Sequence, residues 1–222
     1  MSRLALGKTH ALVVSEEELW GCGDNTSSQL GYLSVFKLRR TKMKPFKKTP
    51  PVVSTFAGPY NTLFIDIDGK TWVCGDNCDG QLGIGKTKKF LDKPHLVPDL
   101  PPLKSIAANY YHSVFLDQEG FVWSCGKNQF GEAGLGDFVS RNKPEKVTTL
   151  PPIQAVGCGQ NFSIFLDIHG NAWGAGDASF RCISKSTRCP IMFEEIPKIK
   201  TISVADFAST IHHRGQPIDS VW

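Results

Sequence analysis

The stretch W-V-C-G-D-N-C-D-G-Q-L-G, running from Trp72 to Gly83, decides the fold because the chain writes it more than once. W-G-C-G-D-N-T-S-S-Q-L-G runs from Trp20 and W-S-C-G-K-N-Q-F-G-E-A-G from Trp123. A fourth copy, W-G-A-G-D-A-S-F from Trp173, begins in the same way and then loses the Asn and the Gly-rich turn. All five tryptophans, Trp20, Trp72, Trp123, Trp173 and Trp222, fall on this lattice, at intervals of 52, 51, 50 and 49 residues. A fixed period of that size signals a solenoid or a propeller, in which each repeat is one supersecondary unit stacked on its neighbours.

Working upstream, each tryptophan is preceded by an apolar run and a turn: L-F-I-D-I-D-G-K-T-W, S-V-F-L-D-Q-E-G-F-V-W and S-I-F-L-D-I-H-G-N-A-W. The alternation on either side is the period of half-buried strands, so these are hairpins. Asp66, Asp117 and Asp167 are placed to accept from nearby backbone amides, while Gly69, Gly120 and Gly170 supply the positive φ of a tight connection. Pro50-Pro51, Pro101-Pro102 and Pro151-Pro152 recur with the same phase just before an apolar run, with Ile196-Pro197 as a weaker fourth copy. Proline has no amide to donate to a ladder, so these pairs mark strand starts or edges. No segment longer than about ten residues carries helical periodicity, and the turns leave room for about four short strands per repeat. The fold class is therefore all-β, a β-propeller of about 50-residue four-stranded blades.

The order Gly-x-x-His-Ser/Thr, Asp-x-x-Gly, Trp-x-x-Gly-x-Asn-x-x-Gly-Gln-Leu-Gly resembles the repeat of the regulator of chromosome condensation family. The resemblance implies a seven-bladed propeller. Approximate repeats fall at 1-51, 52-102, 103-152, 153-198 and an incomplete 199-222, four blades plus part of a fifth. The family's repeat-start histidine is kept as His10 and His112, but Asn61, Phe162 and Ser209 stand at the matching places. The ring is expected to be unfinished, as a fragment of a longer protein or as an array that closes by oligomerising, because open blades expose unpaired edges.

Composition agrees with a folded chain. Of 222 residues, 41% are apolar and 10% aromatic, and the 21 glycines and 14 prolines are spread at turn spacing, not gathered into one tract. Seven cysteines is an odd number, and Cys22, Cys74 and Cys125 recur at one place in successive repeats, which reads as reduced core residues. Arg3, Lys8 and His10 interrupt the apolar residues near the start, and no segment reaches the ~18 apolar residues of a membrane span. An intracellular protein of cytoplasm or nucleus is expected, neither secreted nor transmembrane.

No catalytic constellation emerges. His212-His213 are neighbours on a strand and face opposite ways, and Cys74 with Cys78, or Cys182 with Cys189, lack partners at zinc-site spacing. No glycine run has the form of a phosphate loop. No cofactor or metal is expected, and His10 and His112 read as hydrogen-bonded blade residues. The resemblance implies a surface that binds other proteins, with guanine-nucleotide exchange on a Ran-type small GTPase as the alternative and the most enzymatic role. One stretch stands above the lattice: Lys37, Arg39, Arg40, Lys42, Lys44, Lys47 and Lys48, with Phe36, Met43 and Phe46 interleaved. It reads as a blade loop, and Lys86, Lys88 and Lys89 occupy the equivalent loop of the next repeat, so that adjacent blades present one basic face. An acidic protein surface is the expected partner, ahead of nucleic acid or an anionic membrane. The net charge of +4 is too modest to demand a polyanion by itself.

Overall fold

The computed structural model describes residues 3–33, 39–177, 187–194, 197–204 and 209–213, the last of these by backbone alone. Among them every regular element is a strand. The first sheet holds β1 (Leu4–Leu6), β2 (His10–Ser15), β3 (Glu18–Asp24) and β4 (Arg39–Pro45). The second holds β5 (Val52–Ala57), β6 (Asn61–Asp66), β7 (Thr71–Asp76) and β8 (Phe90–Leu96). The third is β9 (Leu103–Ala108), β10 (His112–Asp117), β11 (Val122–Gly126) and β12 (Arg141–Lys146). The fourth is β13 (Ile153–Cys158), β14 (Phe162–Asp167), β15 (Ala172–Gly176) and β16 (Thr187–Met192), and β17 (Ile199–Val204) pairs with β18 (Ser209–His213). Each sheet is an antiparallel meander in chain order, one propeller blade, and the array is not closed into a ring.

The repeat lattice becomes a register. Trp20, Trp72, Trp123 and Trp173 sit opposite Val13, Phe64, Phe115 and Phe165 on the preceding strand of their own blades. Gly69, Gly120 and Gly170 adopt φ of 78°, 90° and 83° at the turns between those strands. The first blade departs from this pattern: Glu16 and Glu17 form a two-residue turn with φ of 51° and 62°, both in the region that favours glycine.

Strands β6, β10 and β14 are buried along their whole length. They can be, because each sheet is covered on both faces by its neighbours. Leu12, Val14, Leu19 and Leu30 of the first blade pack with Phe64 and Cys74 of the second. Leu63, Val73 and Leu82 of the second then meet Phe115 and Cys125 of the third. Val114, Leu116 and Val122 of the third meet Phe165 and Ala175 of the fourth. Full burial of each such phenylalanine contributes on the order of 2–3 kcal/mol, so the core is a series of interfaces between blades.

The innermost strands β1, β5, β9, β13 and β17 converge on a channel of about 340 Å³ bordered by Ala5, Ala57, Ala107, Gly157 and Ser203. At the rim lie β4, β8, β12 and β16. Pro94, Pro144 and Pro190 share one place on the last three, each one residue before the residue paired with the third strand. Each proline ring closes on the Gly of the preceding blade's Gln-Leu-Gly segment or its counterpart. A methyl group on Gly83 would meet the Pro144 ring at 3.0 Å, and Gly83 itself has φ of 70°.

Candidate functional site

Three recurring side-chain devices hold the blades rigid enough to present a surface. Inside each hairpin one carboxylate organises the turn. Asp66 Oδ1 accepts from the amides of Asp68 and Lys70 at 3.0 and 2.9 Å, and its Oδ2 accepts from the Trp72 indole at 2.7 Å. Asp167 repeats this with His169, Asn171 and the Trp173 indole. At the loop after the third strand, Asn77 Oδ1 accepts from the Leu82 amide at 2.9 Å while its Nδ2 donates to the Lys86 carbonyl at 2.9 Å. Asn25 and Asn128 clamp their own loops in the same fashion.

Between blades the link is a histidine. His10 Nε2 lies 3.1 Å from Thr62 Oγ1, and the Thr62 hydroxyl donates to the Gln29 carbonyl at 2.6 Å. Burial lowers the pKa of both His10 and His112 to about 4, so at neutral pH they are uncharged structural residues, as the sequence pattern implies. Cys74 and Cys125 donate to the carbonyls of Gln29 and Gln81. Burial raises both thiols far above the usual range, and the described cysteines are unbridged. Their recurrence is a packing feature of the core.

The basic residues fall elsewhere than on a loop. Arg39, Arg40, Lys42 and Lys44 belong to β4, the rim strand of the first blade, with Lys47 and Lys48 just beyond it; Lys37 and Phe36 lie outside the described residues. Of the interleaved apolar residues, Met43 on β4 is exposed, and Phe46, just beyond the strand, turns into the core. A rim strand needs no apolar alternation, because one edge and much of its surface face water. Lys86, Lys88 and Lys89 do lie in a loop, leading into β8, and all three are exposed. Pairing of Asp24 with Arg39 and of Asp76 with Phe90 puts that loop at the same end of its blade as Arg39. The single basic face is thus limited to that end: Lys44 and Lys47 lie towards the opposite end, and Lys48 shares a hollow with Glu16, Glu17 and Glu18.

No ion pair among the described residues involves Arg39, Arg40, Lys42, Lys44, Lys47 or Lys48. The third blade treats its rim differently. Arg141 in β12 is held by Asp137 at 2.7 Å and Glu145 at 2.8 Å, and the hydrogen bond from Arg141 keeps the Asp137 carboxyl below its ordinary pKa.

A second surface escaped the sequence reading. The turns between first and second strands bring together Lys8, Tyr60, Tyr110 and Tyr111 from three successive blades. Lys8 Nζ donates to the Tyr110 hydroxyl at 3.0 Å, and the Tyr60 and Tyr110 rings meet edge to face at 5.6 Å. Lys127 lies 4.8 Å from the Tyr111 ring centre. Lys8, Tyr60 and Tyr110 are 50 or more positions apart, and only the stacking of blades makes them neighbours. The available signal was their shared place just before each repeat-start residue.

Models of the regulator of chromosome condensation (RCC1) repeat match residues 68–116, 119–166 and 103–132. Among curated proteins, protein RCC2 of Homo sapiens is 32% identical over 134 residues, 59% of this chain and 26% of that protein. The guanine nucleotide exchange factor SRM1 of Saccharomyces cerevisiae is 30% identical over 141 residues, 60% of this chain and 29% of SRM1. The probable E3 ubiquitin-protein ligase HERC6 of Homo sapiens is 30% identical over 135 residues, 60% of this chain and 13% of the ligase. The chain thus spans less than a third of the length of each. Of solved structures, human WBSCR16 superposes with a TM-score of 0.81 at 20% identity, covering 94% of this chain and 58% of that one, a likeness of fold. Prp20p from Saccharomyces cerevisiae, studied for its binding to Gsp1p and histones, superposes with a TM-score of 0.76 at 25% identity, covering 86% and 50%.

Proposed function

Because this chain is a regulator of chromosome condensation repeat protein, we propose that it is a non-catalytic protein-interaction propeller whose first-blade rim docks an acidic surface of a partner inside the cell. The observation that carries this reading is the set of six cations from Arg39 to Lys48 with no acidic partner within the described residues, on a scaffold that neutralises Arg141 at the corresponding strand of the third blade. Unpaired charge on an exposed strand costs little in water and is available to a complementary partner, where it sets orientation and association rate. Lys86, Lys88 and Lys89 extend the charge at one end of the rim. Proximity labelling in cells with the native chain and with a Lys42→Glu, Lys44→Glu, Lys47→Glu variant tests the reading: a defined subset of labelled proteins disappears with the variant, whereas identical sets from both proteins rule the rim out.

A second reading is regulation of a small GTPase by nucleotide exchange. The likeness to SRM1, an exchange factor, and to Prp20p, studied with Gsp1p, supports it. Exchange needs no acid, base or metal from the exchanger, only tighter binding of the nucleotide-free state than of the loaded one. Accelerated release of fluorescent GDP from a Ran-type GTPase separates this role from scaffolding, which leaves release unchanged.

A further inference from the structure

The charge on β4 is gathered into a hollow. Tyr32, Arg39, Arg40, Lys42, Lys44 and Lys47 border a recess of about 520 Å³ on the rim of the first blade, and among the described residues no acidic side chain lines it. The Arg40 guanidinium lies over the Tyr32 ring, 4.1 Å from its centre, which holds its plane by a cation–π contact. Arg40 Nη1 is buried and has no hydrogen-bond partner among the described residues. A guanidinium nitrogen withdrawn from water without an acceptor carries an uncompensated desolvation cost. An acceptor arriving from outside removes that cost, so the arrangement favours an anion.

We infer that this hollow receives the dianionic phosphate monoester of a phosphorylated side chain on a partner protein. The inference rests on the reading of β4 as the docking strand and narrows it to one chemistry. A planar guanidinium fixed against an aromatic face offers parallel N–H donors to two oxygens of a phosphate. Lys42, Lys44 and Lys47 then offset the second negative charge. A carboxylate brings a single charge and leaves most of the five cations uncompensated in the recess. A polymeric anion is the poorer fit, because it gains from a long array of cations. At the Lys48 end the positive charge meets Glu16, Glu17 and Glu18, and beyond Lys86, Lys88 and Lys89 the third blade's Arg141 is already neutralised.

The test titrates the full chain, labelled with ¹⁵N-arginine, with a neutral-host peptide carrying phosphoserine, its serine and glutamate counterparts, and inorganic phosphate. Vesicles of phosphatidylcholine with phosphatidylserine form a separate arm. The phosphoserine peptide is expected to move the Arg40 side-chain resonance saturably and to bind at least about tenfold more tightly than the glutamate peptide, a difference of about 1.4 kcal/mol. Arg40→Lys keeps the charge but removes the fork, and is expected to abolish most of that preference; Tyr32→Leu weakens phosphate binding without removing a charge. Unchanged thermal melting of both variants identifies these as binding effects, and if Arg40→Lys does not fold, the native titration and Tyr32→Leu still decide. Equal binding of phosphoserine and glutamate peptides overturns the phosphate assignment and leaves the acidic docking strand standing. Binding to vesicles with none to either anionic peptide overturns both.

Discussion

His112 Nε2 of the third blade lies 2.8 Å from Ser163 Oγ of the fourth, and the same hydroxyl donates to the Glu132 carbonyl at 2.7 Å. With its only proton committed to that carbonyl, the hydroxyl must accept from the imidazole, which places the His112 proton on Nε2. His10 and Thr62 repeat the arrangement one interface earlier. Two of the blade interfaces are therefore closed by a neutral histidine.

That protonation state carries a pH dependence. Both histidines have their folded pKa lowered to about 4 by burial, against about 6.5 unfolded. The unfolded chain takes up the proton first, so stability is full above about pH 6.5 and declines as pH falls towards 4, by roughly 3 kcal/mol per histidine. Thermal melting from pH 7.5 to 4 should show this decline. His112→Asn, which places there the residue found at Asn61, should make it shallower; an unchanged slope refutes the assignment.

Glu132 has the opposite sign. It occupies the place held by Gln29 and Gln81 in the earlier blades and is fully buried, with Oε1 unpartnered. Gln81 Nε2 donates to the Tyr110 carbonyl of the next blade at 3.0 Å, a bond that an ionised carboxylate cannot make. Burial raises the Glu132 pKa, so its folded form favours the protonated acid and loses stability as pH rises above about 4.5. Glu132→Gln is expected to stabilise the chain at pH 7 by about 1–2 kcal/mol in denaturant unfolding, with the gain shrinking in acid.

Asp117 joins turn and strand in one blade. Its Oδ1 accepts from the Glu119 and Phe121 amides and its Oδ2 from the Trp123 indole, at 3.0, 2.8 and 3.0 Å. Asp117→Ala leaves three donors without their acceptor and is expected to cost about 2–4 kcal/mol. Trp123→Phe, which removes only the indole donor, should cost less. Equilibrium unfolding ranks the two, and equal losses contradict the turn-organising role.

Thiol chemistry reports the core directly. Cys74, Cys125 and Cys158 are buried, and burial pushes the Cys158 thiol up to about 12. Cys78 is exposed, yet its thiol is raised to about 11 by partial burial and by the Asp76 carboxylate. Alkylation of the native chain at pH 8 should therefore spare the three core cysteines and modify Cys78 slowly. Mass spectrometry reads the sites, and rapid modification of Cys125 is inconsistent with the blade interface described.

The sequence made the hairpins legible because their determinants are local. Gly120, Asp117 and Trp123 lie within seven residues, and their spacing repeats with the blade. The reading of β6, β10 and β14 as half-buried strands does not hold: they are buried along their whole length, because neighbouring blades cover both faces of their sheets, and strands buried on both faces need not alternate. For the candidate site the run of basic residues was legible and its setting was not. A run of charges looks the same on a loop and on a rim strand, because a rim strand has no buried stripe to betray it.

The sequence by itself determined the period, the all-β class, the strand starts at the proline pairs and the neutral, buried character of Cys74 and Cys125, since each is a property of one repeat viewed against its copies; Cys22, at the same place in the first blade, is only half-buried. Tertiary structure alone decided which residues meet. His112 finds Ser163, Pro144 closes on Gly83, and Lys8 reaches Tyr110 across 102 positions, because successive sheets stack face to face around one axis. It also decided that Arg40 lies over Tyr32 with a buried nitrogen left without a partner among the described residues. Contact between residues distant in the chain depends on the packing of whole blades, and packing is set by the sum of many interfaces that no single motif encodes.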